Sequence, residues 1–439
     1  MESILLRRSS PAIGEEFSVW AARIVLRPMQ ALMAAPSLLF LTALTAMLLR
    51  HPDVSFYEID RVAFGLLVVG VVGRAIVLRQ RLFVLQRMTL PMIGLTAMAL
   101  ASVVRQPFDN ETWSLLASKL IVPFVLFHLA GLVFTGEKQF RQFELFSLIV
   151  LGYLSFTAIA FLSGAHSLIF PRFILDESLG FHADRARGPL LQAVANGVSL
   201  NLLGVLALHA YRRGSSRGLK VAVLLASVPV AIVATMTRAV WLSFAGTLML
   251  VVFLFKGRAR QRACVGLALV VAAGLAVLLS SHDLRVALSD RLEERGPLEY
   301  RQAVYVGGWQ MFLEHPLTGW GFHRMPAELP LYVSGYREKL LYPHNTYLEL
   351  LAEHGVLGLA LYLWLMWEMW RLGRGVIPME EKDGFLSPQF HSLWPILLTI
   401  YWVNAAVVVM SYQFVNALVF TIAGMLAAQR QRAEACLPC

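Results

Sequence analysis

Charge is what this sequence has least of. Asp, Glu, Lys and Arg make up 15% of its 439 residues, against about 25% in soluble domains. Hydrophobic residues reach 57%, and the mean hydropathy is +0.63. That balance excludes an ordinary soluble globular protein. Cysteine is nearly absent too: Cys264, Cys436 and Cys439 are all there is, and they offer no disulfide framework. Several catalytic signatures are missing as well. There is no D-x-D pair, no G-x-x-x-x-G-K-[ST] and no H-E-x-x-H, which disfavours a metal-dependent nucleotide-sugar transferase and an ATP-driven machine. His315, His323 and His354 lack ligand-like spacing. The first residues mix charges without a clean apolar run, so no cleavable signal peptide is expected.

What is present is a succession of long apolar runs. A helix needs roughly 20 such residues to cross a bilayer, and backbone polar groups in lipid must pair within the segment. Twelve spans are read, at 31–49, 60–78, 87–104, 114–134, 143–164, 189–211, 219–235, 238–255, 262–281, 346–371, 392–411 and 412–429. The expected fold is an all-α polytopic membrane protein forming a single integral membrane domain over residues 1–439. The bend between the last two spans falls on Ser411, Tyr412 and Gln413.

Lysine and arginine in short loops set the orientation. Arg74, Arg79, Arg81 and Arg87 form one basic loop; Arg212, Arg213, Arg217 and Lys220 form another; Arg371, Arg374 and Lys382 a third. These loops, and with them both termini, are expected on the cytoplasmic side. The net charge of +10 then reflects membrane topology and implies no nucleic-acid partner. Two opposite loops are long, 165–188 and 282–345. The second is too long for a connector and carries an amphipathic stretch from Glu299 to Phe312.

Those opposite loops hold the residues with chemical potential. Arg238 sits in "TMTRAVW" with no acid within nine residues on either side. An ionisable group at membrane depth marks a functional site by default, although snorkelling to lipid headgroups is the plainer reading. Arg187 precedes Gly188 and Pro189 at the mouth of another span. Guanidinium groups fork onto phosphate oxygens, so arginines converging here would suit a lipid diphosphate. His344 precedes Asn345, a good N-cap, at the start of the span after the long loop. The positive end of a helix keeps an imidazole neutral, which suits a general base acting on a sugar hydroxyl; capping or headgroup contact is the alternative. Glu349 and Glu353, one helical turn apart, are expected to pair with loop arginines or with each other through a proton.

Two segments carry a resemblance. "RQAVYVGGWQMFLEHPLTGWGFHRM" followed by "YPHNTYLELLAEHGVLGLALYL" resembles the signature of the O-antigen ligase and polymerase superfamily. The matching positions are Arg301, then His315 to Gly321, then His344, Asn345, Leu348, Glu353, Gly355 and Gly358. "ARGPLLQAVANG" with Arg187 and "TMTRAVWLSFAG" with Arg238 resemble two earlier motifs of that family. The resemblance implies a GT-C-like architecture with a helical periplasmic loop between spans 9 and 10. It implies a metal-independent, inverting glycosyltransferase of the bacterial inner membrane without cofactor. The donor would be undecaprenyl-diphosphate-linked O-antigen and the acceptor lipid A–core, both reached from the membrane lipids. His344 would be the catalytic base, and Arg187, Arg238 and Arg301 would hold the diphosphate. Arg291, Arg295 and Asn345 are secondary candidates, and Tyr305 or Trp309 supplies the family's expected aromatic.

An O-antigen polymerase, with the same donor and a lipid-linked glycan as acceptor, is the nearest rival. A lipid or glycan transporter is the rival of another class; it calls for broken helices and inverted repeats, and neither is expected here. The small extent of sequence after the last span argues against the related protein O-oligosaccharyltransferases.

Overall fold

The computed structural model describes residues 32–50, 59–81, 85–180, 182–214, 218–258, 296–333, 341–375 and 384–435, with isolated positions at 30 and between 260 and 289. Among the described residues there are helices and no strands. We number the main helices α1 Pro36–Leu48, α2 Ile59–Val77, α3 Thr89–Val103, α4 Asn110–Val133, α5 Glu137–Leu162, α6 Ala193–Arg212, α7 Gly218–Ala234, α8 Arg238–Leu254, α9 Gly296–Glu314, α10 Thr346–Leu372, α11 Pro388–Ala405 and α12 Gln413–Ala435. By length and composition α4, α5, α6 and α10 can cross a membrane; α1, α3, α7 and α8 are apolar but shorter. Every expected span has a helix along it except 262–281, which lies largely outside the described residues. The same is true of much of the 282–345 loop. The bend before α12 is longer than read: helix α11 ends at Ala405, and the connection runs over 406–412.

Helix packing relies on small residues, since lipid gives apolar faces no reason to associate. A Cβ on Gly424 of α12 would lie 2.1 Å from the Phe127 carbonyl oxygen of α4, and one on Gly131 would meet Ala428 at 3.0 Å. Glycine at these positions lets α4 and α12 touch backbone to backbone. Between α6 and α8, Gly197 leaves room for the Val240 side chain. Buried amides add specific ties: Asn404 Nδ2 donates to Ser243 Oγ at 2.8 Å, joining α11 to α8. Tyr401 Oη donates to Asn416 Oδ1 at 2.7 Å, joining α11 to α12.

The helix ends sort into two groups. At one end His209 of α6 meets the Phe385 carbonyl at 2.8 Å, and Gln429 of α12 donates to the Leu386 carbonyl at 2.9 Å. Arg212, Arg213, Arg371, Arg374 and Arg430 belong to these termini. At the opposite end Thr346, at the start of α10, bridges the Val408 carbonyl and the Met410 amide at 2.9 Å each. The starts of α6 and α8 lie at this second end, as does the 163–192 connection.

One helix departs from expectation. Helix α10 is interrupted at Gly355, whose φ of 62° and ψ of −164° are not helical. The connection after α9 docks there by backbone pairing. Trp320 and Gly321 amides donate to the Ala352 and Glu353 carbonyls at 2.9 and 2.8 Å; Val356 and Leu357 amides donate to the Pro316 and Leu317 carbonyls at 2.8 and 3.3 Å. A Cβ on Gly319 would stand 2.3 Å from the Glu353 carbonyl carbon, and one on Gly355 would stand 2.4 Å from that of Leu317. The expectation of unbroken helices therefore fails at Gly355. The backbone groups freed by the break are satisfied by 316–321, which is how irregular backbone survives inside a membrane protein. Inverted repeats are not needed to explain it.

Candidate active site

His344 stands at the mouth of α10, and local sequence explains how it is held. Asn345 caps the helix, its Oδ1 accepting from the Tyr347 and Leu348 amides at 3.0 and 3.2 Å. The cap read from the sequence is thus present, and it consumes the Asn345 side chain. Immediately before it His344 turns the chain with φ of 44°. Helix α9 braces this turn with two tyrosines. Tyr300 Oη accepts from the Tyr342 amide at 3.0 Å, and Tyr305 Oη donates to the His344 carbonyl at 3.4 Å. The Tyr300 ring meets the imidazole edge-on, centroids 6.0 Å apart.

Its electrostatic setting is marked. Burial, then the charge of Arg301, then that of His182 push the His344 pKa from its ordinary 6.5 to about 4. The ring is therefore neutral at physiological pH, held so by desolvation first and by Arg301 next. Arg301 on α9 is half-buried and lies close enough to His344 for its charge to be felt.

His182 ties in the other loop. That loop is organised around Arg187, which is 1% exposed. Arg187 Nε donates to the Ile174 carbonyl at 3.0 Å, and its two terminal nitrogens donate to the carbonyls of Leu179 and Asp176. Desolvation lowers its pKa, opposed by the acids of its own loop. The neighbouring Ala186 amide donates to the Ala234 carbonyl at 3.1 Å, and Asn196 donates to the Ala186 carbonyl at 2.8 Å. The first bond joins the Arg187 loop to the end of α7, just before the turn that carries Arg238, and the second joins it to α6. Arg238 is the first residue of α8 and is half-buried. The loop of Arg187, the turn of Arg238, and His344 with Arg301 thus belong to one end of the bundle. Arg291 and Arg295 lie outside the described residues.

Sequence reasoning overlooked Lys119. Its ammonium sits 2.7 Å from Glu349 Oε1, so Glu349 pairs with α4 and not with a loop arginine. A lone lysine in the apolar run "LLASKLIVPFVLF" was the available signal. Among the described residues no three His, Cys, Asp or Glu side chains gather as a metal site requires.

The fold and this site define a multi-pass helical membrane protein with a neutral imidazole and guanidinium groups collected at one end of its bundle. A family model described as O-antigen ligase matches residues 221–363, about a third of the chain. The match takes in Arg238, Arg301 and His344 and supports the O-antigen ligase and polymerase superfamily. No curated protein matches the chain.

Proposed function

We propose that the protein is an O-antigen ligase of the bacterial inner membrane, transferring a glycan from undecaprenyl diphosphate to a sugar of lipid A–core. The observation that carries this reading is the neutral His344 beside the cationic Arg301 at the mouth of α10. The basic helix termini at the opposite end favour a cytoplasmic location for that end, which leaves His344 facing the periplasm. Twelve spans, with 262–281 as the ninth, bring both termini to the cytoplasm.

In the proposed reaction a hydroxyl oxygen of the acceptor attacks the anomeric carbon of the donor sugar. The bond from that carbon to the diphosphate oxygen breaks, and the electron pair leaves with the diphosphate. Arg238 and Arg301 offset the charge that builds there. His344 takes the hydroxyl proton from the opposite face, so the anomeric centre inverts. A free imidazole with a pKa of about 4 is a weak base. Diphosphate bound to Arg301 would cancel the repulsion that helps hold the pKa down, so donor binding raises the basicity of His344 when it is needed. Direct phosphate binding by Arg187 would require three backbone carbonyls to be given up. Its proposed part is therefore to fix the loop that brings His182 and Arg238 to the site. The leaving group is already attached to the sugar, so the mechanism needs neither nucleotide nor metal.

Reconstitution with carrier-linked glycan and lipid A–core tests the reading: extension of the core supports a ligase. Extension of a second carrier-linked glycan instead would make the protein a polymerase, the activity that the matched superfamily equally accommodates. Movement of glycolipid between leaflets without any transfer would make it a transporter.

A further inference from the structure

Inside the bundle, below His344, lies a cluster of charges that the transfer reaction does not use. Helix α4 contains a wide, π-type turn at Ala117–Ile121, a deviation that recurs at functional sites. From it Lys119 reaches Glu349 Oε1 at 2.7 Å, the two side chains only 12% and 13% exposed. The ammonium also lies 5.6 Å from the centre of the Phe322 ring. Glu353, one turn further along α10, is 3% exposed, and its Oε1 has no hydrogen-bond partner. The backbone amides of His323 and Met325 face its carboxyl group. Lys119, Glu349 and Glu353 line a small cavity with Phe322, His354 and Tyr401.

The charge balance does not close. Around Glu353, α4 presents Lys119, α10 presents Glu349, His354 and Tyr362, α11 presents Tyr401, and the 316–325 segment presents His323. Helices α3 and α12 present Leu95 and Phe420. His354 is stacked on Phe322, ring centroids 6.0 Å apart, and is 4% exposed, a poor setting for an imidazolium. Two carboxylates and one ammonium leave one negative charge uncompensated in a water-poor interior, and a buried unpaired charge is costly. One monovalent cation restores neutrality. Sodium needs several oxygen ligands, yet Thr346 Oγ1 is already spent on Val408 and Met410 and Glu349 Oε1 on Lys119.

We propose that the Lys119–Glu349–Glu353 cluster is a proton-binding site within the bundle, with one proton resident on Glu353 and exchanging through the cavity. This rests on charge balance and stands or falls independently of the transfer reaction. Infrared spectra of the full-length protein in nanodiscs at neutral pH test it. The wild type should show a protonated-carboxyl band that disappears in Glu353→Gln. It should also disappear in Glu349→Gln, because the remaining carboxylate then balances Lys119. In Lys119→Met both carboxyls must be neutral, so the band should roughly double. Glu353→Gln, which mimics the protonated acid, should keep the wild-type melting temperature. The proposal is overturned by a wild-type band that Glu353→Gln leaves unchanged, or by no such band at all, which would put the balancing charge on His323 or His354. It is equally overturned if sodium at constant pH abolishes the band. Should Lys119→Met fail to fold, the two glutamine variants decide.

Discussion

Replacing Gly355 with alanine probes the feature on which the architecture of the site depends, the backbone insertion at the break in α10. The φ of 62° and ψ of −164° at this residue fall in a region open essentially to glycine alone, and occupying it costs another residue about 1–3 kcal/mol. The added Cβ would meet the Leu317 carbonyl carbon and oxygen at 2.4 Å and the Thr318 nitrogen at 2.6 Å. These are backbone atoms, so no side chain can swing away, and the 316–321 segment must lift. Four hydrogen bonds hold that segment to α10, each contributing about 0.5–1.5 kcal/mol. Strain and lost bonds together give a destabilisation of at least about 3 kcal/mol. Gly246 in α8 is the matched control, because a Cβ there meets nothing within 4 Å. Gly246→Ala should stabilise its helix by about 0.5–1 kcal/mol or leave it unchanged. Thermal unfolding of purified protein in detergent reads both variants. A Gly355→Ala protein that melts with the wild type would refute the inserted geometry.

The other expectations concern the site itself. Transfer should fail on the acid side as His344 is protonated. In Arg301→Gln the repulsion that helps depress its pKa is gone, so the acid limb should move to higher pH; an unmoved limb in the pH–rate profile would separate the two residues. The same group links to stability. The unfolded chain takes up its proton near 6.5 and the folded one only near 4, so stability from this residue is lost as pH falls through that window, measurable by melting temperature against pH. Arg187→Ala leaves the carbonyls of Ile174, Asp176 and Leu179 without their donor, at about 1–3 kcal/mol for each that stays buried. Limited proteolysis should then cut within 165–188 faster than in wild type. Transfer in EDTA should run at the full rate; a strict divalent requirement in that assay would contradict the proposed mechanism.

How much of this could be read from the residues varies with distance along the chain. Helices announced themselves as apolar runs, and the Asn345 cap was legible because its partners, Tyr347 and Leu348, are two and three residues away. The Asp109 cap of α4, which binds the Thr112 amide at 2.8 Å, carried the same signal in "FDNETW". Long-range pairing was not legible. Nothing in "EHGVLG" announces that the helix breaks at Gly355, since the break is stabilised by 316–321, far back in the chain. The signature glycines were visible, but their reason, backbone against backbone at Gly319 and Gly355, is tertiary. Glu349 was expected to meet a loop arginine or to share a proton with Glu353; its partner Lys119 is 230 residues away. Arg187 was read as a phosphate ligand because arginine near a span mouth suits that role. Its donors turn inward to carbonyls that no sequence pattern specifies.

The central claim is that His344 is the base of a glycan transfer, and single-turnover kinetics with reconstituted protein test it most directly. Carrier-linked glycan and lipid A–core would be supplied to wild type and His344→Ala, with donor binding measured alongside product. The wild type should extend the core, and the variant should retain donor binding and form no product. Wild-type product formation by His344→Ala, or lost donor binding with turnover otherwise intact, would contradict it.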